Sequence, residues 1–226
     1  MTSILPGRLV DALDRFNAAH PWDHNAHYHP WLLRQLPRRF ARALDVGCGS
    51  GDLVRLLAER GEWVQGVDSD SEILQRAREL TGPAAPVGYS LGAAPQEIPA
   101  GPYDVISCVA VLHHLPFAEA LDRFKKELAP GGTLVVVGCA RAASPVDHAL
   151  GLVAIPLNAL TGWVKNRGRA GSPRPVSMTA RTREPELSFE EIGRQARRLL
   201  PGVRLRRRLF WRYTLVWRAP GDPSGR

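Results

Sequence analysis

The sequence predicts an α/β fold: a doubly wound, mostly parallel sheet with helices on both faces and an antiparallel strand at its C-terminal end. Three observations predict it. Short apolar runs alternate with amphipathic stretches over residues 41–140, the pattern of successive strand–helix–strand units. A glycine cluster, Gly47-Cys48-Gly49-Ser50-Gly51, stands between the first such run and the first helix of that series. Near the C-terminus two runs are joined by a turn too short for a crossover, so they pair antiparallel.

The elements follow in order. After Gly7, the residues Leu9, Val10, Leu13 and Phe16 recur at helical spacing. Residues 20–30 are rich in histidine and aromatics, and 31–40 reads as a helix broken at Pro37. Residues 42–47 form a short apolar run ending in glycine, a buried strand. Leu53, Leu56 and Leu57 mark a helix over 52–60 that stops at Gly61. A strand over 62–68 and a helix over 71–80 come next, the latter closed by Thr81-Gly82-Pro83. A weaker strand lies at 86–91, and Tyr103–Val109 is a buried strand without ambiguity. An amphipathic helix over 117–128, a turn at Pro130-Gly131-Gly132 and a strand over 133–138 complete the alternation.

The last third changes character. Residues 146–165 read as an apolar helix or a pair of helices, and 166–185 as a Gly/Pro/Arg-rich loop. Ser188-Phe189-Glu190-Glu191 matches a capping box opening a helix to Leu200. Pro201-Gly202 turns the chain into strands at 203–210 and 213–218. There is no internal repeat.

Composition bounds the reading. The 226 residues suit one domain with an extension. A content of 44% hydrophobic and 23% charged residues excludes wholesale disorder. Cys48, Cys108 and Cys139 are too few for a secreted disulfide scaffold and lack zinc-finger spacing. The net charge of +8 is uneven. Residues 1–150 carry 14 Lys/Arg against 17 Asp/Glu, whereas 151–226 carry 16 against 5. Pro6, Gly7 and Arg8 stand where a signal peptide needs an apolar core. The longest charge-free apolar stretch, 149–164, holds Pro156 and Asn158 and is short for a membrane span. A soluble, cytoplasmic protein is the expectation.

The glycine cluster carries the chemistry. Glycines permit a tight turn and let a ligand lie on bare backbone, and helix-start N–H groups receive an anion. Asp45 sits in the strand before the loop, placed to orient it or to meet a cationic amino group. Asp68 ends the next strand, 21 residues after Gly47, where a carboxylate can accept two ribose hydroxyls. The G-x-G-x-G spacing differs from the G-x-G-x-x-G that fits a dinucleotide pyrophosphate.

Four blocks in order, Leu44-Asp45-Val46-Gly47-Cys48-Gly49-Ser50-Gly51, Asp68, Tyr103-Asp104-Val105-Ile106-Ser107-Cys108-Val109 running on to His113-His114-Leu115, and Leu128-Ala129-Pro130-Gly131-Gly132, resemble the class I S-adenosylmethionine-dependent methyltransferases. The resemblance covers residues 41–140 firmly and is consistent in topology to 218. It implies a Rossmann-like sheet and S-adenosylmethionine as cofactor. It further implies that Gly47, Gly49 and Gly51 shape the methionine pocket with Asp45 near its amino group. Asp68 would hold the ribose, Ser69 flank the adenine, and Val109 line the sulfonium side. Many members carry an acidic residue after the third strand toward the adenine amino group. Here that stretch is Leu91-Gly92-Ala93-Ala94-Pro95-Gln96, so the contacting residue stays open, and Glu97 reads as a solvated loop residue.

The resemblance also divides the chain into an N-terminal helical lid (1–40) and a cofactor-binding domain (41–226) with an acceptor-side insertion near 145–187. Two sources of general base exist. His114 follows the fourth strand, and His27 belongs to the cluster His20, His24, His27 and His29 interleaved with Trp22, Tyr28 and Trp31. No carboxylate or cysteine converges on that cluster, and no metal site is assigned. The apolar stretch 150–163 either packs, roofs an acceptor pocket, or lies on a membrane with Lys165, Arg167 and Arg169. Arg204, Arg206 and Arg208 read as an exposed row on a strand.

The expected function is methylation of a small organic molecule, on a hydroxyl oxygen. The alternatives are methylation of a lipid or isoprenoid quinone at a membrane surface, a nucleic-acid methyltransferase, and a cofactor-binding protein without transfer. Nucleic acid is disfavoured: Ser107-Cys108-Val109-Ala110 stands where base-amino methyltransferases carry Asn/Asp-Pro-Pro-aromatic, and Cys108 lacks a preceding proline. Acceptor and oligomeric state are not encoded in any motif.

Overall fold

The computed structural model describes residues 7–171 and 183–221. Seven strands form one sheet: β1 (Phe40–Val46), β2 (Gly61–Asp68), β3 (Val87–Leu91), β4 (Tyr103–Val109), β5 (Leu128–Cys139), β6 (Arg204–Arg208) and β7 (Arg212–Arg218). Their spatial order is β3-β2-β1-β4-β5-β7-β6. The first five run parallel, and β7 inserts antiparallel between β5 and β6. The order reverses between β1 and β4, the switch point at which open α/β sheets bind ligands.

Strand alternation builds the two halves of the core. On one face Leu44, Ile106, Cys108, Leu134, Val136 and Leu215 pack under α5 (Phe117–Glu127) and α7 (Phe189–Leu199). On the other, Ala43, Val64, Val105, Val135 and Val137 pack under α3 (Asp52–Ala58) and α4 (Ser71–Glu79). Burying an aliphatic side chain of this size is worth about 1.5–3 kcal/mol, so Phe124, Leu121 and Leu57, all fully buried, anchor their helices firmly.

Three expectations are revised. The helix expected over 31–40 is shorter: α2 covers His29–Leu33, because Pro37 disfavours helical geometry at Leu36 and Phe40 already pairs with Gly61 in β1. Pro130-Gly131-Gly132 is a bulge inside β5 rather than a turn before it. Leu128 pairs with Tyr103 and Thr133 with Val105, and the extra residues are absorbed with Gly131 at φ 75°. In the arginine row on β6, Arg204 and Arg206 are exposed as expected, but Arg208 is half-buried, 5.0 Å over the Trp31 ring; Arg207, outside the row, reaches Asp147 at 2.8 Å and also pairs with Glu190.

The apolar stretch after β5 is one helix, α6 (Pro145–Lys165), opened by a Ser144–Asp147 capping box and continuous through Pro156. Pro156 lies on the exposed side, where the carbonyl it leaves free can bond water. Residues 166–171 follow α6, and the rest of the loop expected to 185 falls mostly outside the described residues. α6 packs on the N-terminal segment that includes α1 (Gly7–Ala19). The Asn158 side chain accepts from Trp22 Nε1 at 3.0 Å and from His24 Nε2 at 2.7 Å, and Asn166 donates to the Pro21 carbonyl at 3.0 Å. Trp22, Ala154 and Phe210 form a small core of their own there. Among the described residues no helix is long and apolar enough to cross a membrane.

Candidate active site

The loop from β1 to α3 holds Gly47, Gly49 and Gly51 at φ 72°, 50° and 75°. Left-handed geometry costs other residues roughly 1–2 kcal/mol each, so glycine is required by the backbone alone. Gly47 and Cys48 both donate to the Val67 carbonyl, at 2.8 and 3.1 Å, which ties the loop to the end of β2. A Cβ on Gly47 would lie 2.1 Å from Val111 Cγ2, and one on Gly51 would lie 2.2 Å from the Tyr89 hydroxyl. Above Gly49 the space is open among the described residues. The loop is closed on two sides and accessible in the middle.

Two carboxylates flank it. Asp45 is buried and accepts the Ser107 hydroxyl at 2.7 Å, across the register that pairs these two residues in β1 and β4. Burial pushes its carboxyl up to about 7; the Ser107 hydrogen bond opposes that shift and the Asp68 charge adds to it. Asp68 accepts Gly49 N–H at 2.8 Å on one oxygen and Asp70 N–H at 3.1 Å on the other. Each oxygen keeps a lone pair for a ligand hydroxyl. Ser69 is exposed beside it, and Asp70 caps α4. Val109 ends β4 half-buried, and Ala110 follows at φ 56°, a strained conformation for alanine, with its N–H on the Val137 carbonyl at 2.7 Å.

This donor set fits a cationic, hydroxyl-bearing nucleoside and not a pyrophosphate. Two negative side chains at the loop repel phosphate, whereas one buried carboxyl without a cation attracts an amino group and the other accepts hydroxyls. Glu97 accepts the Ala93 N–H at 2.7 Å and serves its own loop.

A second group of candidate residues lies beyond β4 and β5. Val111, packed at Gly47, leads into a short 3-10 turn at Leu112–His114. The His113 and His114 rings lie 4.0 Å apart. Burial, then the His114 and Arg212 charges, hold His113 down at about 4; burial and Arg183 hold His114 below the usual imidazole range. A cavity of about 350 Å³ opens beside them, lined by His113, Leu115, Cys139, Leu187 and Tyr213. His113, not His114, faces it. The Nδ1 of His113 and the Nε of Arg212 are buried without a hydrogen-bond partner among the described residues.

Arg212 was invisible as a site residue in a sequence crowded with arginines. It opens β7 opposite Cys139, donates to Asn25 Oδ1 at 3.0 Å, and its charge reaches His24, Tyr28 and His113. Among the described residues no carboxylate lies within ion-pair distance of it. Ser107 carried a legible signal: one hydroxyl inside an otherwise apolar stretch of strand.

Of the N-terminal histidines only His24 and His27 share a site, both packed on the Trp22 and Phe210 rings. His20 bonds the Phe16 carbonyl at 3.0 Å and His24 bonds Asn158. His27 sits edge-on to Trp22, Tyr28 and Phe210, and burial and Lys165 hold it in the neutral form. His29, buried, is the member within the field of Asp52 at the start of α3. The β6–β7 turn carries Phe210 and Trp211 at φ 56° and 58°, a geometry ordinarily left to Asn and Gly. Phe210, edge-on to Trp22 at 4.9 Å, holds it. Cys108 is buried and its thiol pushed up by burial, so it is no nucleophile.

The chain matches known proteins at this point. The methyltransferase domain family matches residues 44–136. An uncharacterised methyltransferase of Mycobacterium tuberculosis is 31% identical over 209 residues, covering 88% of this chain and 98% of that protein. A ubiquinone biosynthesis O-methyltransferase of Xylella fastidiosa is 38% identical over 112 residues, 47% of this chain and 45% of that one. The crystal structure of the N-methyltransferase NodS from Bradyrhizobium japonicum with S-adenosyl-L-homocysteine superposes with a TM-score of 0.57 at 20% identity, covering 93% of this chain and 97% of that one. The glycine loop, its two carboxylates and the sheet order agree with these matches: the chain belongs to the class I S-adenosylmethionine-dependent methyltransferases and is an enzyme with S-adenosylmethionine as its cofactor.

Proposed function

We propose that this enzyme methylates a hydroxyl oxygen of a small organic acceptor by in-line transfer. In this reading Gly47, Gly49 and Gly51 cradle the methionine part of the cofactor, Asp45 pairs with its amino group, Asp68 holds the ribose, Ser69 flanks the adenine and Val109 lines the sulfonium side. When bound, S-adenosylmethionine supplies a methyl group on a good leaving group, so alignment does much of the work. A hydroxyl acceptor must also lose a proton, which requires a base that is neutral at working pH.

The observation that carries the reading is the set of desolvated, neutral imidazoles beyond β4 and in the N-terminal segment. His113, at about 4, is a weak base at neutral pH. That leaves His114 as the first candidate and His27 as the second. His113 then serves as a polar wall of the cavity, and Arg212 as the cation that favours an electron-rich or anionic acceptor. The N-terminal segment and α6 act as one lid in this account.

The test is incubation with S-adenosylmethionine and a set of hydroxylated aromatic and carboxylic acceptors, read as the mass gained when methyl replaces hydrogen. On an accepted substrate, His114→Gln lowers kcat by about 10²–10⁴ while homocysteine-cofactor affinity is kept. Unchanged turnover removes His114 from the base role and passes the test to His27→Gln. The exposed face of α6 favours a second reading, an acceptor that resides in lipid.

A further inference from the structure

We propose that the outward face of α6 docks on the surface of an anionic lipid bilayer, lying in its plane. The helix has two faces. Its inner face, with Ala154, Asn158 and Gly162 buried, packs on Trp22, His24 and Phe210. Its outer face exposes Val146 (54%), Leu152 (47%), Val153 (50%), Leu160 (54%), Trp163 (49%) and Val164 (57%). These positions recur at intervals that place them along one stripe of a 3.6-residue helix. Over 21 residues the stripe runs about 30 Å. A surface helix ordinarily turns charged residues outward. Isolated exposed apolar side chains need no explanation, but a contiguous stripe of them marks an interaction surface.

Charge identifies the occupant. Just past the stripe stand Arg167 and Arg169, both exposed, whereas Lys165 turns inward with its ammonium 5.0 Å over the Trp22 ring. Among the described residues neither arginine has a carboxylate within ion-pair distance. The one acidic residue of α6, Asp147, is taken up by Arg207 and by its own helix start. A second copy of this face would therefore offer no carboxylate to the basic end. Anionic headgroups supply that charge, and the acyl boundary accepts the stripe. The membrane contact stands without the proposed acceptor chemistry. Taken with that reading, it puts the inner face of α6 and the lid histidines next to a lipid-borne acceptor.

Flotation with phosphatidylcholine vesicles, with and without phosphatidylglycerol, tests it on the full chain. The protein is expected to float with the phosphatidylglycerol vesicles, less so as salt rises, and to stay behind with phosphatidylcholine alone. Val153→Asp with Leu160→Asp is expected to cut vesicle partition about a hundredfold, roughly a decade per side chain. Both positions face solvent, so the melting temperature and S-adenosylhomocysteine affinity of that variant stay at the wild-type values. Arg167→Glu with Arg169→Glu removes the preference for phosphatidylglycerol. Absence of flotation with either vesicle overturns the proposal. So does a wild-type dimer that the Asp pair splits to monomers without any vesicle binding.

Discussion

The glycine-loop half and the proposed acceptor half of this molecule are built by different rules. Around the glycine loop, positions are set by backbone: three glycines at positive φ, N–H groups on Val67 and Asp68, and a carboxylate paired across one parallel register. On the acceptor side, positions are set by side chains distant in sequence: Asn158 holding Trp22 and His24, Phe210 packed on Trp22, Arg212 on Asn25. The first kind of site tolerates almost no change at its glycines. The second can be rebuilt around a new acceptor without touching the sheet.

The largest effect that sharpens this contrast is expected at Gly47. Gly47→Ala combines a left-handed backbone with a Cβ 2.1 Å from Val111. Strain and overpacking together predict a loss of about 2–5 kcal/mol in urea unfolding. A loss under half a kcal/mol would mean the loop relaxes freely, and the contrast would fail. Next, Asp68→Ala removes charged hydrogen-bond capacity for the ribose and frees the Gly49 N–H. It is expected to weaken S-adenosylhomocysteine binding by about 1–3 kcal/mol in calorimetry. Equal affinity would move the ribose elsewhere. The smaller effect is at Asn158→Ala, which leaves His24 Nε2 without its acceptor and Trp22 Nε1 with only the residue-158 carbonyl at 3.2 Å. About 1–2 kcal/mol of stability should be lost, with cofactor affinity unchanged; a change in cofactor affinity would show that the two halves are coupled.

The same contrast explains what the sequence disclosed. Strand and helix positions from 41 to 140 were legible to within a few residues because the apolar alternation, caps and glycines are local signals. The bulge in β5 was not, since Pro130-Gly131-Gly132 is turn chemistry and only the buried pairing of Leu128 with Tyr103 keeps it in the strand. In the site, Asp45 and Asp68 stand where the motif put them, flanking the loop. Val111, which closes the loop on Gly47, is one of many valines and carries no signal of its own. Arg212 becomes distinct only when β7 inserts beside β5. The histidine cluster suggested one function by its density, yet only His24 and His27 stay together, both against Trp22 and Phe210, while His20 and His29 turn elsewhere.

In the proposed function, Asp45 receives the amino group of the cofactor. Its carboxyl, raised to about 7 when unpaired, is pulled down once a cation sits beside it, so binding releases a proton. The affinity for S-adenosylhomocysteine, measured by calorimetry from about pH 6 to about pH 8, should then rise with pH through about 7 and level off above it. In Asp45→Asn the affinity should be lower and that rise absent. A wild-type affinity that does not change across this range, or the same rise in Asp45→Asn, would contradict the account.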